Sequence, residues 1–395
     1  VSQRTRYGIL AAAWLVLAFE SAYLIVPASV LPVIAGELSL SPTLAGWVIS
    51  AFFVGQLVFS LPVGVVIDLR DRYAVTGVGT AGLLAAGVLG WWAAASGSYP
   101  LLVVSRVLGG VAGIMVVVAL TNVVGSVFAG DREATAVGVF TAGGPAGIAL
   151  GQVAGPRLDA LLGWGATMLV FPVGAVAAFV LLAVVGNRRG ATATTGSSPR
   201  LGDFRAVLTH RGLWHVGAMS FIAYSIFYFL SSWMPTYLTE AFGVSLAAGG
   251  LFLGVFTLGG VVARSGGGAL SDRVFGSRRR PVALLSFVST TLLVAVIALA
   301  GSIAVVLVAL VVAGVTGQLT SGLFFTHARE VVADEVTGVA VALFVTVSVA
   351  GALTAPVFTG ALIDYSGGYA LAFGYAVVLG TVAVGLAWGA PEPNR

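Results

Sequence analysis

Three charged side chains stand inside long apolar runs of this sequence: Glu20, Arg106 and Arg264. A charge placed in hydrocarbon costs at least ~2.5 kcal/mol. Such residues therefore face a protein interior, a partner or a water-filled path, unless the side chain is close enough to an interface to reach water along its own stem. Arg264 lies eight residues before Asp272, about 12 Å along a helix from the polar loop that follows, which is too far for that escape. A guanidinium is a planar fork that donates to two oxygens of one anion at once, so an arginine at this depth suits an oxyanion. A carboxyl group midway along an apolar run, as at Glu20, suits a proton carrier or the partner of a buried polar group. Arg106 is nearer the end of its run, and a structural role competes there with contact to a ligand.

Around these stand weaker candidates. Asn122, Gln152 and Gln318 are uncharged polar residues within apolar runs, placed either to touch a polar solute or to join helices by hydrogen bonds. Tyr224 and Tyr228, with Phe227 and Phe229, form an aromatic stretch that lines a cavity or packs as core and interfacial belt. A second kind of chemistry is repeated. GVVIDLRDR carries Gly64, Asp68 and Arg72, and GALSDRVFGSRRR carries Gly268, Asp272 and Arg273 followed by Arg278 to Arg280. An acid beside a helix start is favoured by the helix dipole, and arginines around it can tie helix ends together as a breakable latch.

The elements that must hold these residues follow from composition. The 395 residues are 58% hydrophobic and 9% charged, far below the roughly 25% charged of a soluble domain. The bilayer therefore acts as solvent for most of the surface. Continuous apolar runs at 8–31, 44–67, 74–95, 100–127, 135–156, 165–186, 213–237, 246–270, 281–300, 303–326, 337–362 and 369–389 predict an all-α polytopic membrane protein of twelve helices, since a barrel strand would alternate over ~10 residues. The first run is too long for a signal segment and reads as a retained helix.

All 19 basic residues are arginine, and cysteine is absent, which excludes disulfides and thiolate chemistry. With the N-terminus inside, sixteen arginines fall in cytoplasmic segments, Arg157 at an outer end, and Arg106 and Arg264 within spans. This is the positive-inside pattern, and it places both termini in the cytoplasm. The net charge of +4 thus reports topology and not a nucleic-acid partner. His210, His215 and His327 are scattered, so neither a metal cluster nor a cofactor is expected, and no acid–base constellation points to an enzyme.

Residues 187–211, polar and small with several arginines, read as a cytoplasmic linker between halves at 1–186 and 212–395. The halves repeat. Asp68 and Asp272 are 204 apart, as are Gly110 and Gly314, and Gly113 and Gly317. Pro32 pairs with Pro235 at 203, and Gly151 and Pro156 pair with Gly351 and Pro356 at 200. Duplicated six-helix halves are a transporter architecture.

The Asp68 and Asp272 loops resemble the G-x-x-x-D-R-x-G-R-R motif of the major facilitator superfamily, with Leu69 and Asp71 departing from it in the first copy. Arg106 in SRVLGGVAG resembles the superfamily's fourth-helix motif, which is tied to proton coupling. The order R-x-x-G-G-x-x-x-D from Arg264 to Asp272 resembles the eighth helix of nitrate/nitrite porters and of some carboxylate transporters, where that arginine contacts the substrate. The glycine-rich 138–156 stretch resembles the fifth helix of the nitrate porters, although Pro145 replaces an asparagine and Ser60 stands where a second arginine would fall. Gly151, Gly155 and Pro156 also resemble the antiporter motif of drug exporters, with Asp159 and Ala160 in place of its glycine pair.

The resemblance implies a monomeric secondary active transporter in the cell membrane. Its substrate would be a small inorganic or organic anion held by Arg264, with Arg106, Gln152, Asn122, Tyr224, Tyr228 and Gln318 nearby. Glu20 would couple protons, and the two aspartate loops would gate. The alternative is a proton-coupled exporter of lipophilic or cationic compounds centred on Glu20. A counter-ion is a further expected partner.

Overall fold

The computed structural model describes residues 2–128, 130, 132–186, 206–332 and 336–390, without the side chains of residues 68, 134, 265, 329 and 338. The linker up to residue 205, with Arg188, Arg189, Arg200 and Arg205, lies outside the described residues, as do Arg395 and the side chains of Asp68 and Arg329.

Among the described residues, twelve helical segments are long and apolar enough to cross a membrane. In chain order the helices are α1 (Gln3–Ser29), α2 (Leu31–Glu37), α3 (Pro42–Leu69), α4 (Arg72–Ser96), α5 (Tyr99–Val127), α6 (Glu133–Thr141), α7 (Gly143–Leu162), α8 (Trp164–Gly186), α9 (Arg211–Phe242), α10 (Leu246–Arg273), α11 (Arg280–Leu299), α12 (Ile303–Thr316), α13 (Leu319–Glu330), α14 (Thr337–Ser366) and α15 (Ala370–Trp388). Their ends are set by local chemistry. Asp71, which departs from the family motif, accepts from Ala74 N at 2.8 Å and so caps α4. Gly97, Gly243 and Gly367 close α4, α9 and α14 with positive φ, the left-handed turn that glycine adopts without strain.

Two predicted spans are each built from two helices. The fifth breaks at Ala142 between α6 and α7. Pro145 explains the break: it has no N–H for the Thr141 carbonyl, and its ring crowds that oxygen. The fifth span also runs on to Leu162, beyond the predicted 156. The tenth breaks at Gly317–Gln318 between α12 and α13.

The chain divides into two compact units. One comprises Val1–Leu40, Trp47–Gly196 and Ser245–Gly254, the other Ser41–Gly46, Ser197–Val244 and Val255–Arg395. In the first, α1 packs on α7 and α8, and α4 on α5 and α8; in the second, α9 packs on α14 and α15, and α11 on α12 and α15.

The repeat is visible in the packing inside each unit. A methyl group on Gly110 would fall on the Phe52 carbonyl, and one on Gly314 would fall on the Phe256 carbonyl. Both glycine and carbonyl recur at an offset of 204. Backbones that close are possible only without a side chain at the contact. The glycine on α14 corrects the predicted register. Gly351 meets the Phe221 carbonyl as Gly147 meets the Ala18 carbonyl, so the structural mate of Gly351 is Gly147, again 204 away, and not Gly151.

Candidate functional site

In the second unit, α10 and α13 approach almost backbone to backbone. A methyl group on Gly267 would fall on the Leu319 carbonyl, and one on Gly322 would lie 2.7 Å from the Arg264 carbonyl. This contact brings Arg264 to the break in the tenth span. Its Nε donates to Gln318 Oε1 at 3.3 Å, and Ser321 Oγ donates to the same oxygen at 2.6 Å. The guanidinium is half-buried, and its Nη1 and Nη2 make no hydrogen bond among the described residues. Arg264 is thus anchored by one nitrogen while the two prongs of its fork stay open. Position 268 has open space where a side chain would stand. Phe227 stacks on Phe256 with centroids 5.7 Å apart, Tyr228 meets Phe227 edge-on at 5.2 Å, and Tyr224 lies 6.5 Å from Tyr228. Tyr228 is buried and Tyr224 half-buried.

In the first unit, Arg106 is fully buried and spent inward. Nε donates to Val48 O at 3.2 Å, Nη1 to Tyr23 O at 3.1 Å and Nη2 to Leu24 O at 2.6 Å. Its guanidinium carbon also lies 4.9 Å from the ring centres of both Tyr23 and Phe52. The Tyr23 carbonyl is the one that Pro27, inside α1, leaves without its helical donor. Arg106 therefore supplies the hydrogen bond that the proline removes and ties α5 to α1 and α3. Snorkelling to an interface is not its role, because no part of it reaches the surface.

Glu20 shares this neighbourhood. It is 2% exposed, its Oε2 accepts from Ser21 Oγ at 2.9 Å, and its Oε1 has no hydrogen-bond partner among the described residues. The carboxylate fits against Gly113, where a methyl group would lie 2.5 Å from Oε1 and 3.0 Å from the Phe52 ring. Glu20 and Arg106 make no ion pair among the described residues.

The remaining candidates are dispersed. Gln152 is fully buried on α7. Asn122 is exposed on α5 and donates to Val118 O of its own helix at 2.9 Å. Ser60, 204 residues before Arg264, is a serine that donates to Leu57 O at 3.0 Å and not a second arginine. Arg72 is buried at the start of α4, and Gly64 has open space beside it.

The second aspartate loop carries an ion-pair network, centred on a different arginine from the Arg273 of the motif. Arg273 is exposed. Arg279 instead donates to Asp272 at 2.8 Å, to Ser271 Oγ at 2.9 Å, and with two nitrogens to Glu330 at 2.8 and 3.3 Å. Glu330 first, then Asp272, hold the Arg279 guanidinium protonated above the ordinary arginine range. The network joins the last turn of α10 to the last turn of α13. Glu330 was not among the predicted residues; its one signal is an acid closing the tenth span, a position that no motif marks.

Residues 11–352 match the sequence profile of the Major Facilitator Superfamily. A probable nitrate/nitrite transporter of Mycobacterium tuberculosis, NarK2, is 31% identical over 232 residues, covering 57% of this chain and 56% of the relative. The matched stretch thus spans little more than half of that protein. A hexuronate transporter of Bacillus subtilis is 25% identical over 379 residues, covering 88% of this chain and 86% of the relative. Among solved structures, a bacterial homolog to the human lysosomal transporter Spinster superposes with a TM-score of 0.82 at 16% identity, covering 99% of this chain and 98% of the other. At that identity the likeness is one of fold.

Proposed function

The chain belongs to the major facilitator superfamily, and from that premise we propose that it is a secondary active transporter of a small anion, with Arg264 as the residue that holds the substrate. The observation that carries this reading is the half-buried guanidinium, anchored through Nε while Nη1 and Nη2 remain open. Two parallel donors at the spacing of a carboxylate or nitrate edge are what such a fork offers. The names of the relatives agree in kind, since nitrate, nitrite and hexuronate are all anions.

Transport proceeds by alternating access, the site opening to one side of the membrane and then to the other. Glu20 is the proton site: its Oε1 is buried without a hydrogen-bond partner among the described residues. Arg106 positions helices and does not touch substrate, because each of its three nitrogens already donates to a backbone carbonyl and no part of it is exposed. Both termini and the stretch joining the units face the cytoplasm of the cell, which follows from the arginine distribution.

The test is binding by the purified protein. A thermal-shift screen of anions and lipophilic cations identifies the ligand class, because a ligand that binds only the folded state raises its melting temperature. For the best anion, Arg264→Ala weakens binding roughly ten- to a hundred-fold, the worth of charge-assisted hydrogen bonds. Arg264→Lys falls between, since a point charge replaces a fork. A folded Arg264→Ala protein that binds the anion as tightly as wild type refutes the anion site and favours the exporter centred on Glu20.

A further inference from the structure

The break in the tenth span does more than let α12 and α13 bend. Gln318 Oε1 accepts from Arg264 Nε and from Ser321 Oγ. A guanidinium nitrogen can only donate, so the amide orientation is forced, and both lone pairs of Oε1 are taken. Gln318 therefore has no acceptor left, and what remains is its Nε2 group, which has no hydrogen bond among the described residues. Gln318 also lines a partly open hollow of about 20 Å³ walled by Phe227, Phe256 and Phe287, with Ser286 and Thr290 beside them. Thr290 Oγ1 is buried there without a partner, and it lies 3.2 Å from where a side chain on Gly317 would begin. Ser286 Oγ gives its proton to Thr316 O at 2.7 Å and keeps lone pairs to accept with.

We propose that Gln318 is the positioning residue for Arg264, and that one water molecule in this hollow, bonded to Thr290, Ser286 and the Gln318 amide, holds Gln318 in place. The proposal rests on the anion reading of Arg264 and assigns Gln318 and Thr290 to the support of that site. The hollow meets both conditions for a buried water: it exceeds the roughly 10–15 Å³ that one water needs, and it offers the two to four polar partners that retain one. The logic is that of a ligand held from behind. Nε spent on Gln318 fixes the plane of the guanidinium, and the plane decides whether Nη1 and Nη2 meet two oxygens or one. Without the water, the Gln318 amide could turn, and its NH2 would then confront a guanidinium it cannot accept from.

The experiment uses the full chain in detergent, with nitrate as the probe, and reads two quantities: nitrate affinity and the melting temperature without ligand. Thr290→Val keeps the shape of the side chain and removes its hydroxyl; it weakens nitrate binding roughly two- to ten-fold, the range of one neutral hydrogen bond, and Thr290→Ser restores it. Gln318→Leu weakens it at least as much. In the ligand-free melts, Thr290→Val and Arg264→Ala are non-additive, and the non-additivity vanishes in a Gln318→Leu background. Additive melts, or a Thr290→Val protein with wild-type affinity, overturn the inference while leaving the anion site standing. Wild-type nitrate affinity in Arg264→Ala overturns the anion reading instead, and the ligand-free cycle then decides the positioning chain alone.

Discussion

Arg106 and Pro27 should behave as a thermodynamic pair, although nothing in their separation along the chain suggests it. Proline at position 27 removes the N–H that would bond the Tyr23 carbonyl, and Arg106 Nη1 fills that place at 3.1 Å. Replacing Arg106 by Met preserves bulk and flexibility but leaves the carbonyl buried and unpaired, at a cost of roughly 1–3 kcal/mol. Loss of the two ring contacts at 4.9 Å adds about 2 kcal/mol each for a desolvated guanidinium, and relief from burying a charge offsets part of this. The total is therefore a poor discriminator, whereas the coupling is a good one. Pro27→Ala returns the N–H to the helix, so in that background Arg106→Met no longer orphans the Tyr23 oxygen. The expected coupling is about 1–3 kcal/mol, the part of the Arg106 cost that belongs to this carbonyl. The assay is reversible unfolding of the four proteins in mixed micelles, followed by circular dichroism. Additivity within about 0.5 kcal/mol would refute the reasoning and assign Arg106 to some other task.

Glu20→Gln is expected to abolish pH-driven uptake while sparing counterflow exchange, which moves no net proton; equal loss of both in a vesicle assay assigns Glu20 a structural role. Arg279→Gln disconnects Asp272 from Glu330 and should change the distribution between conformations, read as spin-label distances, by more than it changes ligand affinity. The chain has no cysteine, so Ser197→Cys is a clean topological probe: it should react with impermeant maleimide only after the cells are opened, and labelling of intact cells reverses the orientation.

Helices long enough to span, their number and the sixfold-by-two repeat were legible in the sequence, because hydrophobicity sums along the chain and needs no knowledge of neighbours. Charges inside apolar runs were legible for the same reason: their cost in hydrocarbon is local. The expectation that Arg264 stands too deep to reach water along its own stem came from helical rise alone. What a buried polar group bonds to is a different matter. The partners of Arg106 lie 58, 82 and 83 residues away, and only the crossing of α1, α3 and α5 brings them together. The sequence showed Arg264 as the first candidate and Arg106 as a secondary one for which a structural role competed, and the fold encloses Arg106 among carbonyls and leaves Arg264 with an open fork. Motif spacing placed Asp272 correctly but could not select Arg279 over Arg273 or supply Glu330, since that choice depends on how the loop after α10 folds back toward α13. The mate of Gly351 was likewise decided in three dimensions: many glycines align in a glycine-rich chain, and only the carbonyl each one meets distinguishes the true repeat. Gln318 is the clearest instance. As a polar residue in a span it reads as glue or as ligand contact, and its part in holding Arg264 depends on a helix break and a close backbone crossing, which are properties of packed helices and not of any one of them.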